Sequence, residues 1–75
     1  MTARSFYRDY LLTCQPAPQP DGRFQARVVI TSLAGDRTRS QRFLDLELFA
    51  SEEAAMEHAR LSGMEWIDVN HHRTR

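Results

Sequence analysis

Residues 49–68, FASEEAAMEHARLSGMEWID, constrain this chain more than any other stretch, because they carry a helix start and a helix stop signal together. Ser51 is placed to cap the helix, its hydroxyl accepting from first-turn amides that have no carbonyl partner within the helix. Glu52 and Glu53 follow, where the positive end of the helix dipole favours acids. Gly63 reads as the closing residue, since a left-handed conformation after the last turn costs least without a Cβ. Trp66-Ile67-Asp68-Val69 is rich in β-formers and reads as a short strand rather than as more helix.

Three strand-like runs precede this helix. In residues 6–14, Tyr10, Leu12 and Cys14 share one face, with Phe6 and Arg8 further along it. The segment 15–22, QPAPQPDG, reads as a wide, partly extended loop, because its three prolines cannot serve a central strand and Asp21-Gly22 is a turn dipeptide. Residues 23–33 alternate most cleanly, with Phe24, Ala26, Val28 and Ile30 against Arg23, Gln25, Arg27, Val29 and Thr31. Ala34-Gly35-Asp36 then suggests a hairpin turn. Residues 37–49 alternate near their end, with Leu44, Leu46 and Leu48 opposite Phe43, Asp45 and Glu47.

On the helix, Ala55, Ala59 and Ser62 fall along one line, and Glu57 and Arg60 form a possible i,i+3 pair on the other side. The expected architecture is α+β, a three- to four-stranded mainly antiparallel sheet with one helix on one face, in the order β-β-β-α-β. A right-handed crossover would lay the last strand beside the first, parallel to it. The expected core collects Tyr10, Leu12, Phe24, Val28, Ile30, Leu44, Leu46, Leu48, Ala55, Ala59 and one of Trp66 or Ile67. Residues 1–70 are expected to form a single domain and 71–75 a disordered tail.

Composition narrows the function classes. A chain of 75 residues makes one domain, with stability of about 4–11 kcal/mol and little room for a deep cleft. One cysteine, Cys14, excludes an internal disulfide and suits a reducing compartment. No apolar run matches a signal peptide or approaches the roughly 20 residues that span a bilayer, so a cytoplasmic protein with no membrane partner is expected. Net charge is zero, but residues 1–44 hold seven Arg against three Asp, whereas 45–72 hold seven acids against Arg60 alone. Such polarity bears on how a molecule meets its partners.

The pattern Phe49-x-Ser51-x-x-x-Ala55-x-x-x-Ala59, followed by Gly63-x-x-Trp66-Ile67-Asp68, resembles a family of small proteobacterial domains of unknown function. In that family, strands lead into a Phe-x-Ser/Thr helix start and close on Gly-x-x-Trp-Ile-Asp. The resemblance implies architecture and brings no activity. The layout is also similar to double-stranded-RNA-binding domains, which place a basic cluster at the start of the corresponding helix. Here those positions are Ser51-Glu52-Glu53-Ala54, acidic where that family is basic.

Few residues point to chemistry. His58, His71 and His72 match no zinc spacing, Cys14 falls on an apolar face, and no nucleophile elbow or Gly-rich phosphate loop is present. Asp68 reads as an intramolecular partner or a strand-end turn residue, and Trp66 as a core residue. No enzyme activity, cofactor or metal is expected. The outer sheet face is the candidate binding surface, with Tyr7, Arg23, Arg27, Val29, Arg39 and Phe43 as its residues and Leu11 among them. It would serve a small binding or regulatory module that contacts a protein partner or forms a homodimer. The alternative is nucleic acid, its phosphates and bases met by the interleaved arginines and aromatics.

Overall fold

The first strand-like run holds a two-residue turn at its centre. β1 (Ala3–Tyr7) and β2 (Tyr10–Cys14) pair antiparallel with Tyr7 opposite Tyr10, so Arg8-Asp9 is the entire loop. Arg8 sits at φ 56°, the positive value that the first loop position of such a hairpin can demand. No Gly or Asn announces the turn. Across a two-residue loop the inward parity changes from even to odd residues. Tyr7, not Phe6, therefore faces the same way as Tyr10, Leu12 and Cys14.

The computed structural model describes residues 2–33 and 39–73, the last three by backbone only. Within 15–22, the chain forms β3 (Ala17–Pro18) and a tight turn at Pro20-Asp21-Gly22, where Gly22 N–H donates to Gln19 O at 3.0 Å and Gly22 takes φ 89°. Asp21 Oδ1 accepts from Arg23 N–H at 3.0 Å, the turn chemistry expected of an Asp-Gly pair. β4 (Phe24–Gln25), β5 (Val28–Ser32), β6 (Arg39–Phe43) and β7 (Leu48–Phe49) follow. The turn expected at Ala34-Gly35-Asp36 lies outside the described residues; β5 and β6 on either side of it are paired antiparallel.

The strands form a four-stranded sheet in the order β1-β2-β5-β6 and a three-stranded sheet in the order β3-β4-β7, with every pairing antiparallel. The long runs break where the chain turns from one sheet to the other. There, Ala26 N–H donates to Glu47 O at 3.0 Å and Leu46 N–H to Ala26 O at 3.2 Å. That break overrides the leucine alternation: Leu44 and Leu48 are 48% and 39% exposed rather than in the core, and only Leu46 packs against it.

The helix α1 (Glu52–Arg73) begins as the residues dictate. Ser51 Oγ accepts from Ala54 N–H at 3.1 Å, and Arg60 Nη2 lies 2.6 Å from Glu57 Oε2. It does not end at Gly63. It continues through Trp66-Ile67-Asp68-Val69, so the strand expected there is helix, and among the described residues no strand follows it and no parallel crossover exists. His71, His72 and Arg73, assigned to a tail, have helical backbone, while residues 74 and 75 lie outside the described part. The physical reason is packing. Ala55, Ala59, Gly63 and Ile67 recur every fourth residue and form the buried stripe of the helix. A Cβ on Gly63 would stand 2.9 Å from Leu12 Cδ2. The glycine thus admits the sheet rather than terminating the helix.

Leu12, Cys14, Ala26, Val28, Ile30, Ala55, Ala59 and Ile67 make one buried core, with Tyr10, Phe24 and Trp66 packed against it. The fold is α+β, a small core between sheet and helix. Among the described residues, no helix is long and apolar enough to cross a membrane.

Candidate functional site: the open face of the sheet

Register decides what the sheet presents. On the helix side, Tyr7, Tyr10, Ser32 and Arg39 stand in line, as do Cys14, Val28 and Phe43. The opposite side carries two rows, Arg4–Thr13–Val29–Arg42 and Phe6–Leu11–Thr31–Ser40. No residue of either row is acidic. Phe6 is 74% exposed, the largest apolar group so displayed. Arg4 and Arg42 are exposed and make no ion pair or side-chain hydrogen bond among the described residues. Arg27 stands at the end of this face, its Nε donating to Gln15 O at 3.0 Å, and lines a shallow depression of about 220 Å³ with Val29, Arg42 and Leu44.

Of the six residues expected on the outer face, only Val29 and Arg27 belong there. Tyr7 faces the helix and donates its hydroxyl to Asp68 at 2.8 Å, while Arg8 Nε donates to the same carboxylate at 3.0 Å. Asp68 is therefore an intramolecular anchor, tying the β1–β2 turn to α1. Phe43 and Tyr10 each pack edge-on against Trp66 with ring centroids 6.3 Å apart. Arg39 lies in the same inward row. Arg23 belongs to the β3–β4 turn and pairs with Asp21 at 2.8 Å. Parity carried unbroken through Arg8-Asp9 misplaces Tyr7, and through residues 44–47 misplaces Arg39 and Phe43; Arg23 is misplaced by the break at Ala26, which puts it beside the small sheet. The same unbroken parity hid Arg4, Phe6 and Arg42. Reading Tyr7-Arg8-Asp9-Tyr10 as a turn would have found Arg4 and Phe6.

The helix side holds a second concavity. Because α1 lies over β2 and β5, β6 is left partly uncovered, and a groove of about 590 Å³ runs between β6 and the far half of the helix. Tyr10, Arg39, Gln41, Trp66 and Asn70 line it. An apolar hollow of about 300 Å³ continues it past Trp66 toward Phe43 and Val69.

Titratable groups elsewhere have structural explanations. Burial pushes the Cys14 thiol up, away from the reactive thiolate. The hydrogen bond from Arg60 holds Glu57 below the ordinary carboxylate range, and Arg23, through its amide and then its guanidinium, does so for Asp21. His58 lies against the Phe49 ring, with centroids 5.0 Å apart. Among the described residues, no group of three or more His, Cys, Asp or Glu side chains is gathered to hold a metal ion.

Comparison with known proteins adds no neighbour: no family model, no curated protein and no solved structure matches this chain.

Proposed function

We propose that this chain is a small binding module that docks another protein chain through the open face of its four-stranded sheet. One observation carries the reading: Phe6, Leu11 and Val29 lie on a side that the fold leaves uncovered, bordered by Arg4 and Arg42. An aromatic and arginines around aliphatic groups are the composition that interface hot spots favour. The hydroxyls of Thr13 and Thr31 add adaptable hydrogen-bonding groups. Guanidinium, hydroxyl and apolar groups form a set that recognises rather than reacts, so the proposal is binding and not catalysis.

The test is photo-crosslinking in the producing cell, with benzoylphenylalanine in place of Phe6 and, as control, in place of Gln19 in the β3–β4 turn. A protein adduct specific to position 6 is expected. Equal or absent adducts at the two positions would remove the reading.

Nucleic acid remains a second reading for one reason, the acid-free grouping of Arg4, Arg27 and Arg42. The relocation of Tyr7 and Phe43 to the helix side leaves Phe6 as the lone aromatic for base stacking. Binding through three arginines would give a log–log salt slope of roughly −2 to −3 with single-stranded RNA or DNA. No complex at low salt would end it.

A further inference from the structure

The helix side of the sheet is covered unevenly, and the part left open is not chemically uniform. Along β6 the residues on that side are Arg39, Gln41 and Phe43, a cation, an amide and a ring in succession. Arg39 and Gln41 line the groove of about 590 Å³, and Phe43 lines the apolar hollow of about 300 Å³ that continues it. Trp66 and Asn70 border both, so groove and hollow form one trough beside the far half of α1. Four residues of extended strand separate its polar end from its apolar end, a span of about 13 Å.

The polar end is a set of donors with no acid among its lining residues. Arg39 stands two strand spacings from Tyr10, about 10 Å, with Ser32 between them in the same row. The Arg39 guanidinium, the Tyr10 hydroxyl, the Gln41 amide and the Trp66 indole N–H make no side-chain hydrogen bond or ion pair among the described residues. Asp68, on the same stretch of helix, is engaged by Tyr7 and Arg8 at the β1 end of that row. The apolar end is walled by Phe43, Leu46, Trp66 and Val69, and the acid at its rim is Glu65.

An anion is therefore attracted to one end of the trough and repelled from the other, which sets the direction of a bound molecule. One guanidinium balances one negative charge, and its planar fork matches a carboxylate. A phosphate dianion would need a second cation, and the lining offers none. Convergent polar groups at one end of an aromatic wall, in a concavity of this size, are the makings of a small-molecule site.

We propose that this trough binds an amphipathic monocarboxylate of small-molecule size, its head at Arg39 and its apolar body along Trp66 toward Phe43. The site lies on the other side of the sheet from Arg4, Phe6 and Arg42, and is additional to the docking of a protein there.

Trp66 is the sole tryptophan of the chain, so its emission reports on the trough. Decanoate, whose extended length is close to the span of the trough, is the probe, with decanol and decylamine as controls at neutral pH. Decanoate should give a saturable blue shift of Trp66 emission. The indole Nε1–H and the Gln41 side-chain amide should be the most displaced resonances in amide-proton NMR. Decanol should bind about ten-fold more weakly, and decylamine more weakly still. Arg39→Gln should weaken decanoate about ten-fold, and Arg39→Lys, which keeps the charge, should recover part of the loss. Val69→Gln should weaken it about three-fold through the apolar end. Arg39 and Val69 are exposed, and an unchanged thermal midpoint confirms the fold of each variant.

Equal affinity for decanoate and decanol overturns the proposal, as does an Arg39→Gln variant that binds decanoate like the natural chain. So does decanoate at millimolar concentration that leaves the Trp66 emission and the indole resonance unchanged. Displaced resonances centred on Phe6 and Leu11 would put the ligand on the open face and exclude the trough. Crosslinking from position 6 is independent of all these outcomes, so the docking reading stands or falls separately.

Discussion

The two faces of the four-stranded sheet are built from alternate residues of the same strands, and they differ in what the chain supplies to meet them. Leu12 and Leu11 are neighbours in β2. Leu12 is buried against a helix whose facing residues are Ala55, Ala59 and Gly63, while Leu11 looks outward beside Phe6. The covered face achieves close approach by small residues on the helix and aliphatic ones on the sheet. Its opposite has no such complement, and its larger groups are spaced among arginines and threonines. A sheet of this kind acquires a core on one side by shape matching and retains on the other a surface suited to recognition.

The largest expected effect tests that contrast directly. Leu12→Ala should cost about 2–5 kcal/mol, a large share of the stability of so small a domain, whereas Leu11→Ala should cost less than about 1 kcal/mol. Urea unfolding of both variants measures the difference, and equal losses would contradict the assignment of faces. Next is Gly63→Val, whose side chain would crowd Leu12 and should cost about 1–3 kcal/mol. Were Gly63 only a helix terminus with nothing above it, that change would be far milder. Gly63→Ala should lie nearer to neutral, since a gain in helix propensity of about 1 kcal/mol opposes the clash.

Smaller effects probe how the helix is fastened over the covered face. Ser51→Ala removes the hydroxyl that receives the Ala54 amide and should cost about 1 kcal/mol. Tyr7→Phe removes the hydrogen bond to Asp68 and should cost about 0.5–1.5 kcal/mol, with faster amide exchange at the β1–β2 turn as its local signature. The smallest effect concerns pH. Asp21 and Glu57 are held below their ordinary range by Arg23 and Arg60, so each contributes stability above its unfolded-state value. That contribution is lost as pH falls through the lower folded-state value. Glu57→Gln with Asp21→Asn should therefore flatten the loss of stability below about pH 4.5; an unchanged acid limb would place the cause elsewhere.

Local chemistry was legible wherever it acts over a few residues. Ser51 caps the helix, Glu57 meets Arg60, Asp21-Gly22 turns, and the alternation of Phe24 to Ile30 places Val28 and Ile30 in the core. The Arg8-Asp9 turn was not legible, because the residue that takes positive φ is Arg8, which is not a customary one for it. Its conformation is accompanied by contacts of Tyr7 and Arg8 with Asp68, some sixty positions away. One unread turn then reversed the faces of β1, and one unread break at 44–47 did the same for β6. This is why the outer sheet face carries largely other residues than those expected on it. Arg4, Phe6 and Arg42 replaced Tyr7, Arg39 and Phe43.

By itself the sequence determined the class of fold, the helix start and the polarity of charge, since composition, periodicity and capping all act through near neighbours. Tertiary structure alone decided where the helix ends, because Gly63 has the same signature as a terminator and as a point of close contact. Only the presence of Leu12 above it distinguishes the two. It also decided the identity of the exposed face, because a strand has a period of two and a single shift of register exchanges its sides.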